Sequence, residues 1–293
     1  MAALQALRPA ASGVARNPIL IVVTALYGLT QLPTLLVPPT RPLLSAAISL
    51  ATVGVLLLVL PFFQGGLLGM ASEAIRGKTS LSTLVAEGKA NYVSLLLAYF
   101  VLLAIQLIFG FIAFFGIFAA VLGTSFGAAS GAGGSGAPGG AASGAAAIPG
   151  DLTLLAVVAV VGLVLALVYL LVTLVIQFYA HAIVLDNLDL VAGFRRSAGV
   201  VRANVLSVLG YSLLLLVGGL LAGTLGAAAS FAVAPQPAGS PMAGVLPFEP
   251  SIAVAAVGAI GYVLLTGVFG AFYATYSVAF YESIRPEPTV DRR

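Results

Sequence analysis

Long apolar runs alternate with short polar intervals along this chain. Six runs stand out, at about 18–37, 43–70, 92–122, 152–185, 205–234 and 251–284. Each reaches the roughly 20 residues that an α-helix needs to cross a hydrocarbon core about 30 Å thick. None shows the strict alternation of a half-buried strand. The expected fold class is therefore all-α, a polytopic membrane bundle of six transmembrane helices forming a single integral domain. Pro38, Pro39 and Pro42 mark the turn between the first two runs, and Pro61 inside the second predicts a kink. The fourth run reads as one helix about 50 Å long, so that its last turns tilt or protrude. In the fifth, Gly219 and Gly223, with Ala222 and Gly226, form small-residue pairs four apart that let a neighbouring helix approach closely.

Two polar intervals carry a different pattern. In 186–204, Asp189 predicts an N-cap, and the helix that follows places Leu190, Val191, Phe194, Ala198 and Val201 within an arc of about 100°. Arg195 and Arg202 are nearly eclipsed beside that arc and Arg196 lies one step round. All three guanidinium groups are thus expected to face lipid headgroups while Phe194 and the aliphatics enter the acyl boundary. Polybasic turns between spans also orient a protein in its membrane. The interval 73–91 is its twin, with Ser80 capping a short helix that carries Leu81, Leu84 and Val85 on one side. These are two expected interfacial amphipathic helices.

Composition agrees with the pattern. Hydrophobic residues make up 61% of the chain and charged residues 7%, against about 25% charged in soluble domains. The chain has no cysteine, which excludes disulfides, thiol nucleophiles and thiolate metal sites. Its positive charge is spread over short loops, so no nucleic-acid partner is expected. Residues 1–17 carry Arg8 and Arg16 as a basic leader to the first span, and no small-residue cleavage pattern closes that span. With both termini cytoplasmic in a cell membrane, all of the 12 basic residues except Arg41 fall inside, as the positive-inside rule requires. The stretch 123–150, rich in Gly, Ala and Ser, reads as a flexible loop.

Sliding the chain on itself by 113 residues pairs Gln64 with Gln177, Glu73 with Asp186, Lys89 with Arg202, Asn91 with Asn204 and Ser94 with Ser207. Both units enter and leave in the same sense, so the expected internal repeat is parallel. Apolar runs rich in Leu, Val and Ala also align by chance. The block from Ile183 to Asn204, with Phe194, Arg195, Arg196, Ser197 and the segment Val201–Asn204 ahead of a span, resembles a family of uncharacterised haloarchaeal integral membrane proteins. It is more distantly similar to the six-helix membrane domain attached to some bacterial glycerophosphodiester phosphodiesterases. That resemblance implies a helical membrane domain without established catalysis, and no part of the chain resembles the soluble barrel that carries hydrolysis in the fused enzymes.

Candidate chemistry is sparse. Asp186 and Asp189 could share a helix face and hold Mg²⁺ for a lipid diphosphate, but no second acidic pair follows. Capping and ion pairing with Arg195 or Arg196 are the expected roles. His181 is the only histidine, so a multi-His metal site is impossible, and a hydrogen-bonded residue at the end of a span is expected. No metal, cofactor or catalytic residue is assigned. Arg195, Arg196, Arg202, Asp186, Asp189, His181 and Asn204 are the candidate contacts for lipid or a membrane protein partner. The expected function is non-catalytic, in membrane organisation or as an accessory subunit. A channel or carrier lined by Gln64, Gln106 and Gln177 is the alternative, and a lipid-headgroup enzyme, supported by Glu73 and Glu282 if they cluster with the aspartates, is the third.

Overall fold

The computed structural model describes residues 2–36, 42–130, 152–233 and 252–285. They form helices joined by short turns, in the order α1 (Ala2–Gln5), α2 (Leu7–Arg16), α3 (Ile19–Leu36), α4 (Pro42–Arg76), α5 (Leu81–Ala90), α6 (Tyr92–Ser130), α7 (Leu152–Ile176), α8 (Tyr179–Leu185), α9 (Leu190–Ala203), α10 (Val205–Val233) and α11 (Ile252–Ile284). Among the described residues, five stretches are long and apolar enough to cross a membrane. A sixth counts if α1–α2 and the start of α3, bent by 88° at Asn17–Pro18, form one span. The class is that of an all-α membrane bundle.

Several boundaries differ from those read in the sequence. The second span runs as one helix through Pro61 and extends to Arg76, so Glu73 and Arg76 belong to it and not to the interval that follows. α6 continues to Ser130, eight residues into the stretch expected to be a loop; the rest of that stretch lies outside the described residues, as does Arg41. The fourth span is broken at Gln177–Phe178 into α7 and α8, where the Phe178 N–H donates to Ser197 Oγ at 3.1 Å. Residues 2–16 are helical, whereas the sequence suggested only a leader.

The described residues fall into two units, one of Met1–Tyr99 with Ile176–Arg293 and one of Phe100–Val175. The smaller unit consists of the distal part of α6 and most of α7. Tyr169 donates to Gln106 at 3.4 Å, and its ring meets Phe109 edge-on at 5.3 Å. The Phe side chains at 111, 114, 115 and 118 are exposed, as lipid-facing residues of a span are.

In the larger unit, close helix approach depends on glycines other than the pairs expected. A Cβ on Gly66 would run into the Leu84 carbonyl, one on Gly88 would meet the Phe62 carbonyl at 2.7 Å, and one on Gly267 would meet the Ile21 carbonyl at 2.8 Å. These glycines bring α4 against α5 and α11 against α3. Thr24 then donates to the Gly267 carbonyl at 2.6 Å. Gly219 and Gly223, by contrast, have open space where a Cβ would stand. The Gly219–Gly223 pair therefore packs against no described residue, whereas a Cβ on Gly226 would stand 4.0 Å from the Tyr262 ring of α11.

Around α8, α10 and α11 the core is aromatic. Tyr211 stacks on Phe280 at 4.3 Å and on Tyr276 at 5.3 Å, and Phe178 lies against Tyr211, Phe280 and Tyr281. Packing of this kind, not exclusion from water, holds helices together inside a bilayer.

Candidate functional site

The polar end of the larger unit gathers every Lys and Arg of the described residues, on α2, α5 and α9, at the ends of α4 and α11, and at Lys78 in the turn after α4. Asp186 lies at its centre, in the turn after α8. One carboxylate oxygen, Oδ2, accepts the Tyr281 hydroxyl at 2.7 Å and Arg196 Nε at 3.2 Å. The other, Oδ1, accepts Arg285 Nη1 at 2.8 Å. One carboxylate thereby ties the α8–α9 turn to α9 and to the end of α11. The Asp186 side chain is 15% exposed and those of Arg196 and Arg285 are 31% and 25% exposed, so solvent screens the pairs only in part.

Asp189 has a different role. Its Oδ1 accepts the Ala192 N–H at 2.7 Å, a side-chain N-cap for α9. Between the two aspartates Asn187 takes a left-handed conformation, φ 52°, which Asn tolerates better than most residues with a Cβ. Beside this turn is a cleft of about 1020 Å³ lined by Asp186, Asp189, Val191, Arg195, Arg196 and Arg285 among others.

Within α9 the expected lipid-facing arc is rotated. Gly193, Ser197, Val200 and Val201 are the buried residues, and a Cβ on Gly193 would strike Ile183 Cγ1 at 2.7 Å. Val191 points outward, and Phe194 stacks on Tyr179 at 5.3 Å. Arg195 and Arg202 are exposed, but Arg196 turns inward to Asp186 and does not join them. The reason is that α9 rests its smallest residues on α8, which sends the aliphatic arc partly sideways and partly inward.

The acidic residues are separated, each with its own partners. Glu282 accepts Ser72 Oγ at 3.0 Å and pairs with Arg76 at 2.5 Å, joining α11 to α4. Glu73 Oε2 accepts the hydroxyls of Thr79 at 2.9 Å and Thr83 at 2.7 Å, joining α4 to α5. Among the described residues no group of three or more His, Cys, Asp or Glu is placed to hold a metal ion. The second acidic cluster that a lipid-headgroup enzyme would need is not assembled from these four.

His181 is buried, 7% exposed, with its ring 5.6 Å from Phe178 and 5.4 Å from Tyr281. Neither ring nitrogen has a hydrogen-bond partner among the described residues, so the hydrogen-bonded histidine expected from the sequence is instead packed in the aromatic core. Gln177 sits nearby and accepts from Ser212 at 3.4 Å. Gln64 and Gln177 belong to the larger unit. Gln106 lies in the smaller one, in a groove of about 540 Å³ along α6 and α7.

Asn204 ends α9. Its amide donates to the Val200 carbonyl at 3.1 Å and to the Ile284 carbonyl at 3.2 Å. Asn91 ends α5 with the same four-residue bond, to Glu87 O at 3.1 Å, and Asn17 ends α2 with one to Gly13 O at 2.9 Å. Asn17 reaches further, donating to Gly77 O at 3.0 Å and accepting the Thr79 N–H at 3.0 Å. Each of these asparagines stands between a short surface helix and a long apolar one.

Of the candidate residues, then, Asp186, Asp189, Arg195 and Arg196 share the cleft wall, while His181, Arg202 and Asn204 lie outside it. Tyr281, Arg285 and Asn17 were missed. The only sequence signal for Arg285 is a basic residue closing the last apolar run, and Tyr281 is one aromatic among several.

An all-helical bundle with a basic polar end and acidic residues used as clamps defines the class, a multi-pass membrane protein. The chain belongs to the family of DUF7847, a domain of unknown function, whose family model matches residues 1–284. Neither the comparison with curated proteins nor that with solved structures gives a match.

Proposed function

We propose that this protein is a non-catalytic membrane organiser that acts through its polar end, in a cell membrane with both termini cytoplasmic. One observation carries the reading. Asp186, Glu73 and Glu282 are each engaged in holding helices together and Asp189 caps α9, whereas Arg195 and Arg202 are exposed. The charged chemistry directed outward is basic and suited to a membrane surface, and the carboxylates that could serve catalysis are structural. The matching ends of α5 at Asn91 and α9 at Asn204 support a parallel internal repeat, which would give the polar end more than one similar face. The likeness to haloarchaeal membrane proteins and to the phosphodiesterase-attached domain agrees with a role without its own active site.

The test is mild extraction of the tagged full chain from native membranes, beside a variant with Arg195 and Arg202 changed to Ala. Enrichment of a lipid or a stoichiometric membrane protein, lost in the variant, supports the organiser. Turnover of a lipid diphosphate by the purified chain, abolished by Asp186→Asn with protein yield intact, overturns it in favour of an enzyme.

A further inference from the structure

The asparagine junction occurs three times, not twice. Counting back from Asn17 and from Asn204, Leu4 and Val191 both stand 13 residues earlier and Arg8 and Arg195 both stand nine earlier. Lys89 and Arg202 both stand two residues before their own asparagines, Asn91 and Asn204. Inner faces match as well. Ala6, Ala10 and Gly13 of the first helical segment are buried, and they correspond in position to the buried Gly193, Ser197 and Val200 of α9. α5 places Gly88 inward.

Outward, each surface helix combines an apolar residue with a base. Leu4 is 54% exposed beside Arg8, Val85 42% beside Lys89, and Val191 57% beside Arg195. Arg8, Lys89, Arg195 and Arg202 make no ion pair among the described residues. Each surface helix leads directly, through its asparagine, into a long apolar helix whose first turns carry exposed aliphatics, at Val22, Val93 and Leu206.

We propose that α1–α2 and α9 are copies of one module whose asparagine junction α5 shares, and that together the three bind anionic lipid headgroups, the phosphate taken by Arg8, Lys89, Arg195 and Arg202 and the acyl boundary met by the neighbouring aliphatics. A helix that pairs outward bases with apolar residues is the arrangement that lies in a headgroup layer. Attachment of each surface helix to the first turn of an apolar span, together with its outward bases, selects an anionic lipid, not a protein, as the occupant. This deepens the organiser reading and rests on it.

The experiment uses the full chain, purified and reconstituted in mixed vesicles of phosphatidylglycerol and phosphatidylcholine, with retained lipid quantified after re-extraction. The wild type should retain phosphatidylglycerol preferentially, less so at high salt. Each of Arg8→Gln, Lys89→Gln, Arg195→Gln and Arg202→Gln should lower that preference, roughly five-fold apiece at low salt, and Arg→Lys at the three arginines should keep most of it. Thermal melting of each variant in detergent establishes that it is folded. Unchanged preference in a folded quadruple Gln variant overturns the proposal. So does loss of a co-purifying protein from that variant in native extracts with lipid retention unaltered, which assigns the faces to a protein and leaves the organiser reading standing. If turnover of a lipid diphosphate accompanies unchanged lipid preference, both readings fall.

Discussion

Tyr281 donates its hydroxyl to Asp186 at 2.7 Å across 95 residues of sequence, and this bond joins the end of the last span to the turn before α9. Replacing Asp186 by Asn leaves the guanidinium groups of Arg196 and Arg285 without their shared counter-charge. Partial exposure moderates the penalty of a broken buried pair, so a loss of about 2 kcal/mol is expected. Tyr281→Phe removes one hydrogen bond to a charged acceptor and should cost about 1.5 kcal/mol. Chemical denaturation in detergent checks both, and the double variant should fall short of the sum because the residues share one carboxylate. Wild-type stability for Asp186→Asn would show that the clamp does not hold the bundle.

Asp189 should behave as a cap alone. Asp189→Ala is expected to cost about 1 kcal/mol, whereas Asp189→Asn, which keeps a side-chain acceptor, should cost much less. The same denaturation curves measure this. Equal losses for Ala and Asn would point to a role for the charge beyond capping.

The three asparagines should differ in consequence. Asn17 is buried, bonds two segments and accepts from Thr79, so Asn17→Ala orphans several backbone groups at once and should cost about 2–3 kcal/mol. Asn204→Ala loses its bond to Ile284 O as well as its local one and should cost about 1–2 kcal/mol. Asn91→Ala, whose amide bonds remain within α5 at Glu87, should cost least. A melting series in one detergent tests the order.

Glycine substitutions separate packing within the chain from any other use. Gly267→Ala forces a methyl group toward the Ile21 carbonyl and should destabilise by about 1–3 kcal/mol. Gly219→Ala and Gly223→Ala meet open space and should leave the melting temperature of the single chain within error. A drop at Gly219 equal to that at Gly267 would contradict the arrangement of α10 described above.

The proposed orientation is accessible because the chain has no native cysteine. Single cysteines at Ser12, Ala86 and Gly199, on the three surface helices, should react with a membrane-impermeant thiol reagent only when the cytoplasmic face is open. Labelling of intact cells at any of the three would reverse the topology.

By itself the sequence determined where the long helices lie and where the chain turns polar, because hydropathy over a window of about 20 residues is a local property. It also determined the cap at Asp189, since an N-cap needs only its own next few residues. What it did not determine is the direction each helix faces. In a bilayer both sides of a spanning helix are apolar, so the periodicity that marks the inner face of a soluble helix is lost. Between the spans, packing decided that Gly66, Gly88 and Gly267, not Gly219, bring helices together, and for the surface helix α9 the seating of its smallest residues on α8 decided that Gly193 and Ser197 turn inward and that Arg196 goes to Asp186 while Arg195 stays outside. Only the tertiary structure placed Tyr281 and Arg285, 95 and 99 residues from Asp186, on its carboxylate, because the partners of a side chain at the polar end of a bundle are chosen by which helix ends meet there.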